Sequence, residues 1–158
     1  MNIYTDGAAT IRQVNGEYVR ENGGWAFAVE ENGEAVYIEK GQLLNTTNNE
    51  CELTAIKNAI DYFDSNYDGD LIIFSDSAYS INCVTQWAKN WEKNGWTRGK
   101  KHEKIENLEL IKYIYEKIKE LEDNFHSVTF IKVAGHSGNK INEIVDRAAV
   151  AAKEGRQV

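Results

Sequence analysis

Four acidic residues stand in settings that point to one shared chemical role, and they are Asp6, Glu52, Asp76 and Asp146. Asp6 and Asp76 each end a short apolar run, which predicts a buried strand that delivers its carboxylate to the carboxyl edge of a sheet. Clustered carboxylates repel one another, and a hard divalent cation relieves that repulsion. Because Mg2+ prefers oxygen ligands and also binds substrate phosphate, the four acids predict metal-dependent phosphodiester chemistry rather than a structural metal site.

Taken singly, each acid also has an ordinary structural explanation. An acid that follows a strand, such as Asp6 or Asp76, can cap the next turn or helix. Glu52 can be a first-turn glutamate that the helix dipole favours, and Glu50 has the same property, although the spacing from the preceding asparagines selects Glu52. Asp146 can be an exposed polar residue of a helix. The joint occurrence of all four acids favours the metal site.

The elements that must carry these acids follow from the hydrophobic periodicity. Short β-type runs predict strands over residues 2–5, 25–29, 35–43, 71–75 and 128–133, with Asn32-Gly33 as a hairpin turn between the second and the third. Apolar residues at helical spacing predict helices over residues 49–63, 77–84, 105–118 and 141–153. The order βββαβαβα predicts an α/β protein with a mixed sheet, antiparallel at its start and parallel later.

Length and composition favour a single domain, over residues 1–158. No apolar stretch reaches the ~20 residues of a membrane span, and nothing resembles a signal peptide. Cys51 and Cys83 lack metal-ligand spacing and lie in apolar surroundings, which favours reduced, packed thiols. We therefore expect a soluble, cytoplasmic protein with no membrane contact.

Charge is distributed unevenly along the chain. The formal net charge of -7 argues against a generic nucleic-acid binder. Residues 88–104 nevertheless hold six basic and two acidic side chains, a local net charge of +4 against -11 for the rest of the chain. Tryptophans alternate with lysines in and just before this segment. Such a segment can grip nucleic acid, but the lysines can also form a solvated face and the tryptophans can belong to the core.

The motifs around the four acids resemble those of the ribonuclease H family, specifically its type 1 bacterial enzymes, over nearly the whole chain. Tyr-Thr-Asp-Gly ends the first strand, Thr-Asn-Asn-x-x-Glu opens the first helix, and Ser-Asp-Ser follows the fourth strand. Gly-His-x-Gly-x-x-x-Asn-Glu-x-x-Asp spans residues 135–146. The resemblance implies the ribonuclease H-like fold, with a mixed five-stranded sheet of three antiparallel and then parallel strands and with helices on both faces.

The resemblance also implies an enzyme, an endoribonuclease that hydrolyses the RNA strand of RNA:DNA hybrids during DNA replication. Asp6, Glu52, Asp76 and Asp146 would hold two Mg2+ ions, roughly 3.5–4 Å apart, with Mn2+ as a substitute. The products would carry 5'-phosphate and 3'-hydroxyl ends. His136 would assist proton transfer or product departure, since imidazole titrates near neutral pH. The resemblance further suggests a monomer.

The resemblance to the family also implies which residues of this chain contact the substrate. Thr47 and Asn90 would hold a phosphate of the DNA strand, while the residues that reach the minor groove would be Asn48, Asn49 and Gln86. The basic, tryptophan-rich protrusion would grip the DNA strand through phosphate contacts and aromatic packing by Trp87, Lys89, Trp91, Lys93 and Trp96. A wide minor groove with 2'-hydroxyls on one strand is what distinguishes the hybrid from duplex DNA.

Three departures from the family pattern bear on selectivity and affinity. The glycine- and proline-rich turn after the first motif is replaced by Ala8-Ala9-Thr10 and an extended stretch to Gly24, which affects the contacts to 2'-hydroxyls. Asn45 stands where many relatives have a basic phosphate contact, and Ala78 follows the third motif where a polar side chain is common. These substitutions predict weaker substrate binding with an unchanged metal site.

Three other interpretations of the sequence compete with this one. Proofreading-type exonucleases share the topology and the metal chemistry, but they carry Asp-x-Glu on the first strand, where this chain has Ala8 in place of the glutamate. Transposases and integrases normally carry additional DNA-binding domains. A non-catalytic or relaxed-specificity nucleic-acid-binding module of the same fold is the remaining alternative, and such modules typically lose one or more of the acids.

Overall fold

The computed structural model describes residues 1–10, 12–135 and 138–155, apart from the side chains at positions 65 and 66. Its strands are β1 (Asn2–Ala9), β2 (Arg12–Val14), β3 (Glu17–Val19), β4 (Glu21–Glu31), β5 (Glu34–Thr46), β6 (Leu71–Ser75) and β7 (Val128–Lys132). Its helices are α1 (Asn48–Asn66), α2 (Ala78–Asn82), α3 (Ala88–Lys93), α4 (Leu108–Asp123) and α5 (Lys140–Lys153), and a π-helical turn (Cys83–Trp87) joins α2 to α3.

Five strands form one mixed sheet in the order β5-β4-β1-β6-β7. β4 pairs antiparallel with both β1 and β5, whereas β6 runs parallel to both β1 and β7. The predicted hairpin turn at Asn32-Gly33 joins β4 to β5, and both residues have the positive φ that a tight turn of this kind requires. The prediction of an α/β fold with a mixed five-stranded sheet is confirmed.

Strand β1 extends further than its apolar run predicted. The predicted strand ends at Thr5, but β1 continues to Ala9 because it pairs with β4 along its whole length. On its other edge, the pairing with β6 stops at Tyr4. Asp6 therefore lies within a strand, not after one, at a point where the edge that faces β6 has no strand partner.

The stretch between β1 and β4 forms a second, two-stranded sheet that the periodicity did not predict. β2 and β3 pair through three residues each, and the chain turns at Asn15-Gly16, where both residues have positive φ. The two strands are short and largely exposed, so they carry no alternating apolar pattern by which they could be recognised. We call this element the β2–β3 hairpin.

The helices after β6 begin and end differently from the prediction. A single helix was predicted over residues 77–84, but the helical path continues through the π-helical turn and α3 as far as Lys93. The helix predicted from residue 105 begins at Leu108, because Asn107 adopts a left-handed backbone conformation with φ of 60°. Ile105 is still buried against the core from its position before the helix.

Helices cover both faces of the sheet, as predicted. α1 and α4 pack against one face, around buried residues that include Phe27 of β4. α5 packs against the other face, where its partners on β4 are Ala26 and Ala28. Successive residues of a strand point to opposite faces, so the two clusters alternate along β4. No helix in the described part of the chain is both long and apolar enough to cross a membrane.

Two adjacent glycines in β4 allow helices to approach the sheet closely from both sides. A β-carbon at Gly23 would lie 2.5 Å from the sulfur of Cys51 in α1. A β-carbon at Gly24 would lie 2.2 Å from the carbonyl oxygen of Ala149 in α5. Side chains at either position would push a helix away, and these are the helices that carry the second and the fourth of the predicted acids.

Candidate metal centre and nucleic-acid interface

Three of the four predicted acids lie together beside the end of β6. One carboxylate oxygen from each of Asp6, Glu52 and Asp76 lies within 4.8 Å of the others. Asp6 comes from β1, Asp76 follows β6 directly, and Glu52 comes from the start of α1. Asp6 and Glu52 are only 3% and 4% exposed, whereas Asp76 is partly exposed. The cluster is therefore anchored in the protein and accessible from the side of Asp76.

The register of α1 brings Glu52, and not Glu50, to this cluster. Thr47 caps the helix, because its hydroxyl oxygen accepts a hydrogen bond from the backbone N–H of Glu50 at 3.2 Å. The Glu50 carboxylate in turn accepts a hydrogen bond from the hydroxyl of Thr46. Two residues along a helix rotate a side chain by about 200°, so Glu52 points the other way, toward Asp6.

Asp146 reaches the same place from α5. Asp146 lies near enough to Asp6 that its charge contributes to the raised pKa of Asp6, after burial and the charge of Asp76. Asp146 also lines a small cleft together with Asp76, Asn142 and Glu143. The cleft has a volume of about 10 Å³, which is about the space that one water molecule occupies. All four predicted acids thus converge, although they are separated by up to 140 positions in the sequence.

Asn142 is a buried residue of this cleft to which the sequence motifs assigned no role. Its side chain is 3% exposed, and its Oδ1 atom has no hydrogen-bond partner among the residues that the structure describes. Leaving a buried carbonyl oxygen without a partner costs roughly 1–3 kcal/mol. Its place one helical turn before Asp146, within the Asn-Glu-x-x-Asp motif, is the sequence signal that could have identified it.

Burial and mutual repulsion raise the pKa of two carboxyl groups in the cluster. The pKa of Asp6 rises above its usual range mainly because the group is buried, and next because of the neighbouring charge of Asp76. The pKa of Glu52 rises mainly through burial and next through the charge of Asp6. Without a counter-charge, the cluster is therefore destabilised by ionisation of these two groups.

The acids fit a divalent cation. Oε2 of Glu52 is buried, and within the described residues it has no hydrogen-bond partner. A buried carboxylate oxygen without a donor, next to two further carboxylates, is the arrangement that a hard cation stabilises, because the cation supplies both coordination and counter-charge. The donor set consists of oxygen atoms, which favours a hard divalent cation over metals that prefer sulfur or nitrogen ligands.

Three of the residues predicted to contact the minor groove or a phosphate lie at the start of α1, and they are Thr47, Asn48 and Asn49. Asn48 is exposed and Asn49 is half-buried, about one helical turn before Glu52. Thr47 is half-buried and already serves as the N-cap. Asn45 precedes them with an exposed side chain and a positive φ of 52°. Together these residues extend the surface of the metal centre along one side of α1.

The polar residues of the predicted DNA-binding segment lie on an exposed surface formed by the π-helical turn and α3. This surface is made up of Gln86, Lys89, Asn90 and Lys93. Neither lysine forms an ion pair within the described part of the chain. A groove of about 360 Å³ adjoins this surface at Asn90 and is also lined by Lys100. The lysines are therefore available to an anionic ligand.

The tryptophans of the same segment divide into one exposed and two packed side chains. Trp87 is 38% exposed, and its ring contacts those of Trp91 and Tyr79, with centroids 6.0 and 6.2 Å away. Trp91 and Trp96 pack against the hydrophobic core. The ring of Trp96 meets Tyr115 edge-on at 5.8 Å. Of the three aromatic side chains predicted to contact DNA, Trp87 offers the most accessible ring.

His136 lies outside the residues that the structure describes, so its predicted role stays a prediction. The chain enters this part of the sequence at Gly135. A β-carbon at Gly135 would lie 3.4 Å from Oδ2 of Asp76, which shows that the backbone just before His136 passes beside the acidic cluster.

Comparison with known proteins relates nearly the whole chain to one family. A family model described as RNase H matches residues 1–154. The Ribonuclease H of Clostridium botulinum (strain Hall) is 39% identical over 154 residues, which cover 96% of this chain and 94% of that protein. The Ribonuclease H of Ehrlichia ruminantium is 36% identical over 148 residues, which cover 93% of this chain and 90% of that protein.

Solved structures share the fold at lower identity. The solution structure of the PFV RNase H domain superposes with a TM-score of 0.76 at 19% identity and covers 99% of this chain and 95% of that one. The crystal structure of LC9-RNase H1, a type 1 RNase H with the type 2 active-site motif, has a TM-score of 0.70 at 24% identity, with coverage of 99% and 74%. The foamy viral protease-reverse transcriptase in complex with RNA/DNA hybrid has a TM-score of 0.79 at 18% identity, with coverage of 98% and 20%.

Proposed function

Because this chain belongs to the ribonuclease H family, a family of nucleases, we propose that it hydrolyses the RNA strand of RNA:DNA hybrids. We propose further that it cuts internally and leaves 5'-phosphate and 3'-hydroxyl ends. In this reaction a water oxygen forms a bond to phosphorus while the bond from phosphorus to the 3' oxygen breaks. The 3' oxygen takes up a proton and leaves as a hydroxyl.

The observation that carries this proposal is the convergence of the four acids at one edge of the sheet. Asp6, Glu52 and Asp76 present oxygen atoms within 4.8 Å of one another, and Asp146 interacts with Asp6. We assign these four residues as ligands of two Mg2+ ions, which Mn2+ can replace. When bound, such ions supply the positive charge that stabilises the attacking and leaving oxygens of an in-line displacement.

The protein's own contribution is to hold the carboxylates where charge develops. Asp6 is held within a strand and Glu52 within a helix, and both are almost fully buried, so neither carboxylate can swing into solvent. Because these charged groups are already in position, they do not have to be reoriented as the transition state forms. Asp76 and Asp146 are more accessible and complete the site on the side that substrate approaches. We assign proton transfer, or assistance to product departure, to His136.

Substrate binding is assigned to two surfaces. Asn48, Asn49 and Gln86 would contact the minor groove, and Thr47 with Asn90 would hold a phosphate of the DNA strand. Two observations support the assignment of the surface formed by the π-helical turn and α3 to the DNA backbone, together with Trp91 and Trp96 behind it. The ring of Trp87 is exposed, and Lys89 and Lys93 form no ion pair with the residues that the structure describes. We also propose that a monomer is active, because all four acids come from one chain.

Cleavage of one end-labelled RNA strand tests the proposal. The strand is presented alone, in an RNA duplex and in an RNA:DNA hybrid, with Mg2+, Mn2+ or EDTA. We expect internal cuts in the hybrid alone, dependent on the metal and abolished by Glu52→Gln. The matched control is Glu50→Gln, which changes an acid in the same helical turn that lies outside the cluster and should retain activity. Phosphatase treatment before kinase labelling checks for 5'-phosphate ends.

The alternative functions predict different outcomes of this experiment. Cuts in every RNA context would indicate a nuclease of relaxed specificity, consistent with the altered chain after Asp6. Binding of the hybrid with no cleavage under either metal would indicate a non-catalytic module. Equal activity of the Glu52→Gln and Glu50→Gln variants would contradict the assignment of the metal site.

A further inference from the structure

A cavity of about 570 Å³ lies between the β2–β3 hairpin and the start of α1. Its lining includes Arg12 and Tyr18 from the hairpin, Arg20 directly after it, and Thr47 and Asn48 from α1 and its cap. Cavities of this size are typical of ligand sites. Arg12, Tyr18 and Arg20 do not belong to the four motifs around the acids, so the function proposed above makes no use of them.

The lining of the cavity has two positively charged side chains, Arg12 and Arg20, and one negatively charged side chain. Arg20 is exposed, and among the described residues it has no carboxylate within ion-pair distance. Arg12 pairs with Glu21 at 2.6 Å, yet its side chain remains 58% exposed. Glu106 is the carboxylate among the lining residues. In a protein with a net charge of -7, two arginines at one cavity form a local site for an anion.

The cavity and the acidic cluster lie close enough for one bound nucleic acid to contact both. β1 runs from Asp6 in the cluster to Ala9 in the cavity wall, a distance of about 10 Å for three residues of a strand. The first turn of α1 connects the same two places, from Asn48 to Glu52. A duplex carries one phosphate per strand for about every 3.4 Å of its axis, so a strand seated on the acids places further phosphates at the cavity.

We propose that this cavity binds a backbone phosphate of the nucleic-acid substrate, with Arg20 as the principal cation. Arg12 adds a second positive charge, and the ring of Tyr18, which is 75% exposed, packs against the sugar or base that follows. The site rests on the proposed function, since it holds the same substrate. The β2–β3 hairpin would then contribute to a second nucleic-acid-binding surface, separate from the surface formed by the π-helical turn and α3.

Binding of a fluorescent RNA:DNA hybrid across a series of salt concentrations tests the site. Arg20→Ala, Arg20→Lys, Arg12→Ala and Glu106→Gln are compared in an Asp6→Asn background, so that the substrate is not consumed. We expect Arg20→Ala to weaken binding about 3- to 10-fold and to reduce the salt dependence by about one phosphate contact, a slope change of roughly 0.9. Arg20→Lys should retain the slope, and Glu106→Gln should tighten binding.

Lys57→Ala is the matched control, because it removes a cation that pairs with Asp61 on α1. It should leave affinity and salt slope unchanged. In the cleavage-competent protein, Arg20→Ala should raise KM and leave kcat and the melting temperature unaltered. A change in kcat or melting temperature without a change in salt slope would mean a structural role for Arg20 and would overturn the proposal.

Further outcomes distinguish a failure of this proposal from a failure of the proposed function, and a phosphate site for nucleic acid from a site for small anions. A wild-type protein that cleaves the hybrid, with arginine variants that bind it equally well, overturns this site alone. A wild-type protein that neither binds nor cleaves the hybrid overturns the proposed function and the site with it. Titration with inorganic phosphate and with a mononucleotide distinguishes the source of the phosphate, and Arg20-dependent binding of these small anions alone overturns the proposal.

Discussion

The backbone of Gly7 lies directly against that of Glu52, so that a β-carbon on Gly7 would be 2.4 Å from the Glu52 nitrogen. This approach brings the strand that carries Asp6 against the helix that carries Glu52. A backbone atom cannot move aside as the end of a side chain can, so even a methyl group at Gly7 must displace the helix or the strand. The glycine is thus required by the geometry of the metal centre.

Gly7→Ala is therefore expected to damage stability and activity together. Overpacking costs typically 1–3 kcal/mol, which corresponds to a loss of roughly 2–12 °C in Tm for a chain of this size. A displacement of about 1 Å between the acids is expected to lower the cleavage rate by about 100-fold. Thermal unfolding and hybrid cleavage measure the two effects. Gly135→Ala is the control, because among the described residues a β-carbon there meets the end of one side chain, Oδ2 of Asp76, at 3.4 Å. Equal effects of both substitutions would contradict the prediction.

Gly24→Ala is expected to displace α5 from the sheet. The added β-carbon would lie 2.2 Å from the carbonyl oxygen of Ala149 and 2.4 Å from the backbone nitrogen of Lys153. We predict a loss of more than about 2 kcal/mol in the free energy of unfolding, measured by chemical denaturation, and reduced cleavage because α5 carries Asp146. Gly41→Ala provides the comparison, since its β-carbon would meet the half-buried ring of Trp25 instead of backbone. A larger cost at Gly41 would refute this explanation.

The metal-free protein is expected to lose stability as the pH rises. The folded-state pKa values of Asp6 and Glu52 are raised above the ordinary values of 3.8 and 4.5, so folding favours their protonated forms. Their contribution is fully present below about pH 4 and is lost as the pH rises through the raised values. Melting temperatures in EDTA should therefore fall from mildly acidic to alkaline pH, with a shallower decline for Asp6→Asn. Mg2+ should restore stability at high pH, and an identical pH profile for both proteins would be the contrary result.

Both cysteine thiols are expected to be unreactive in the folded protein. Cys51 and Cys83 are fully buried, and burial raises the pKa of each to about 11. The thiolate is the nucleophile, and its fraction at pH 8 is then on the order of one in a thousand before access is considered. A chromogenic disulfide reagent should label neither thiol in native buffer and both in guanidinium chloride. Rapid labelling of one cysteine in native buffer would show that its helix opens.

Substitutions of two tryptophans near α3 are expected to have different effects, one on substrate binding and the other on stability. Trp87→Ala removes the most exposed ring of the group and should weaken hybrid binding by roughly tenfold with little change in Tm. Trp96→Ala removes a ring that packs against Tyr115 and the core, and should lower the free energy of unfolding by about 2–4 kcal/mol. Fluorescence anisotropy and denaturation distinguish the two, and the reverse pattern would exclude this division of roles.

Much of the fold could be predicted because its elements carry local patterns. Local sequence patterns predicted these elements to within a few residues: β6 and β7 from their apolar runs, α1 and α5 from their helical spacing, and the hairpin turn from Asn32-Gly33. The β2–β3 hairpin escaped prediction because short exposed strands lack an apolar alternation. The start of α4 also shifted, since the left-handed conformation of Asn107 leaves no clear trace in the sequence.

The candidate site was predictable to a similar extent, and for the same reason. Each acid has a local motif, so the sequence identified Asp6, Glu52, Asp76 and Asp146 without knowledge of any contact between them. Asn142 and Gly7 were not assigned a role, because their importance comes from burial and from the approach of a distant backbone. The cavity beside the β2–β3 hairpin has no local signature, since it exists only between two elements.

By itself the sequence determined which residues could do chemistry, in what order the elements follow and which family they resemble, because residue type and spacing along the chain carry that information. Tertiary structure alone decided how closely Glu52 and Asp76 approach Asp6, and that the pairing of β1 with β6 ends before Asp6 so that the edge beside it is open. It also decided that the adjacent glycines of β4 admit a helix on each face. These features depend on distances between backbones that are remote in sequence, and such distances are set by packing.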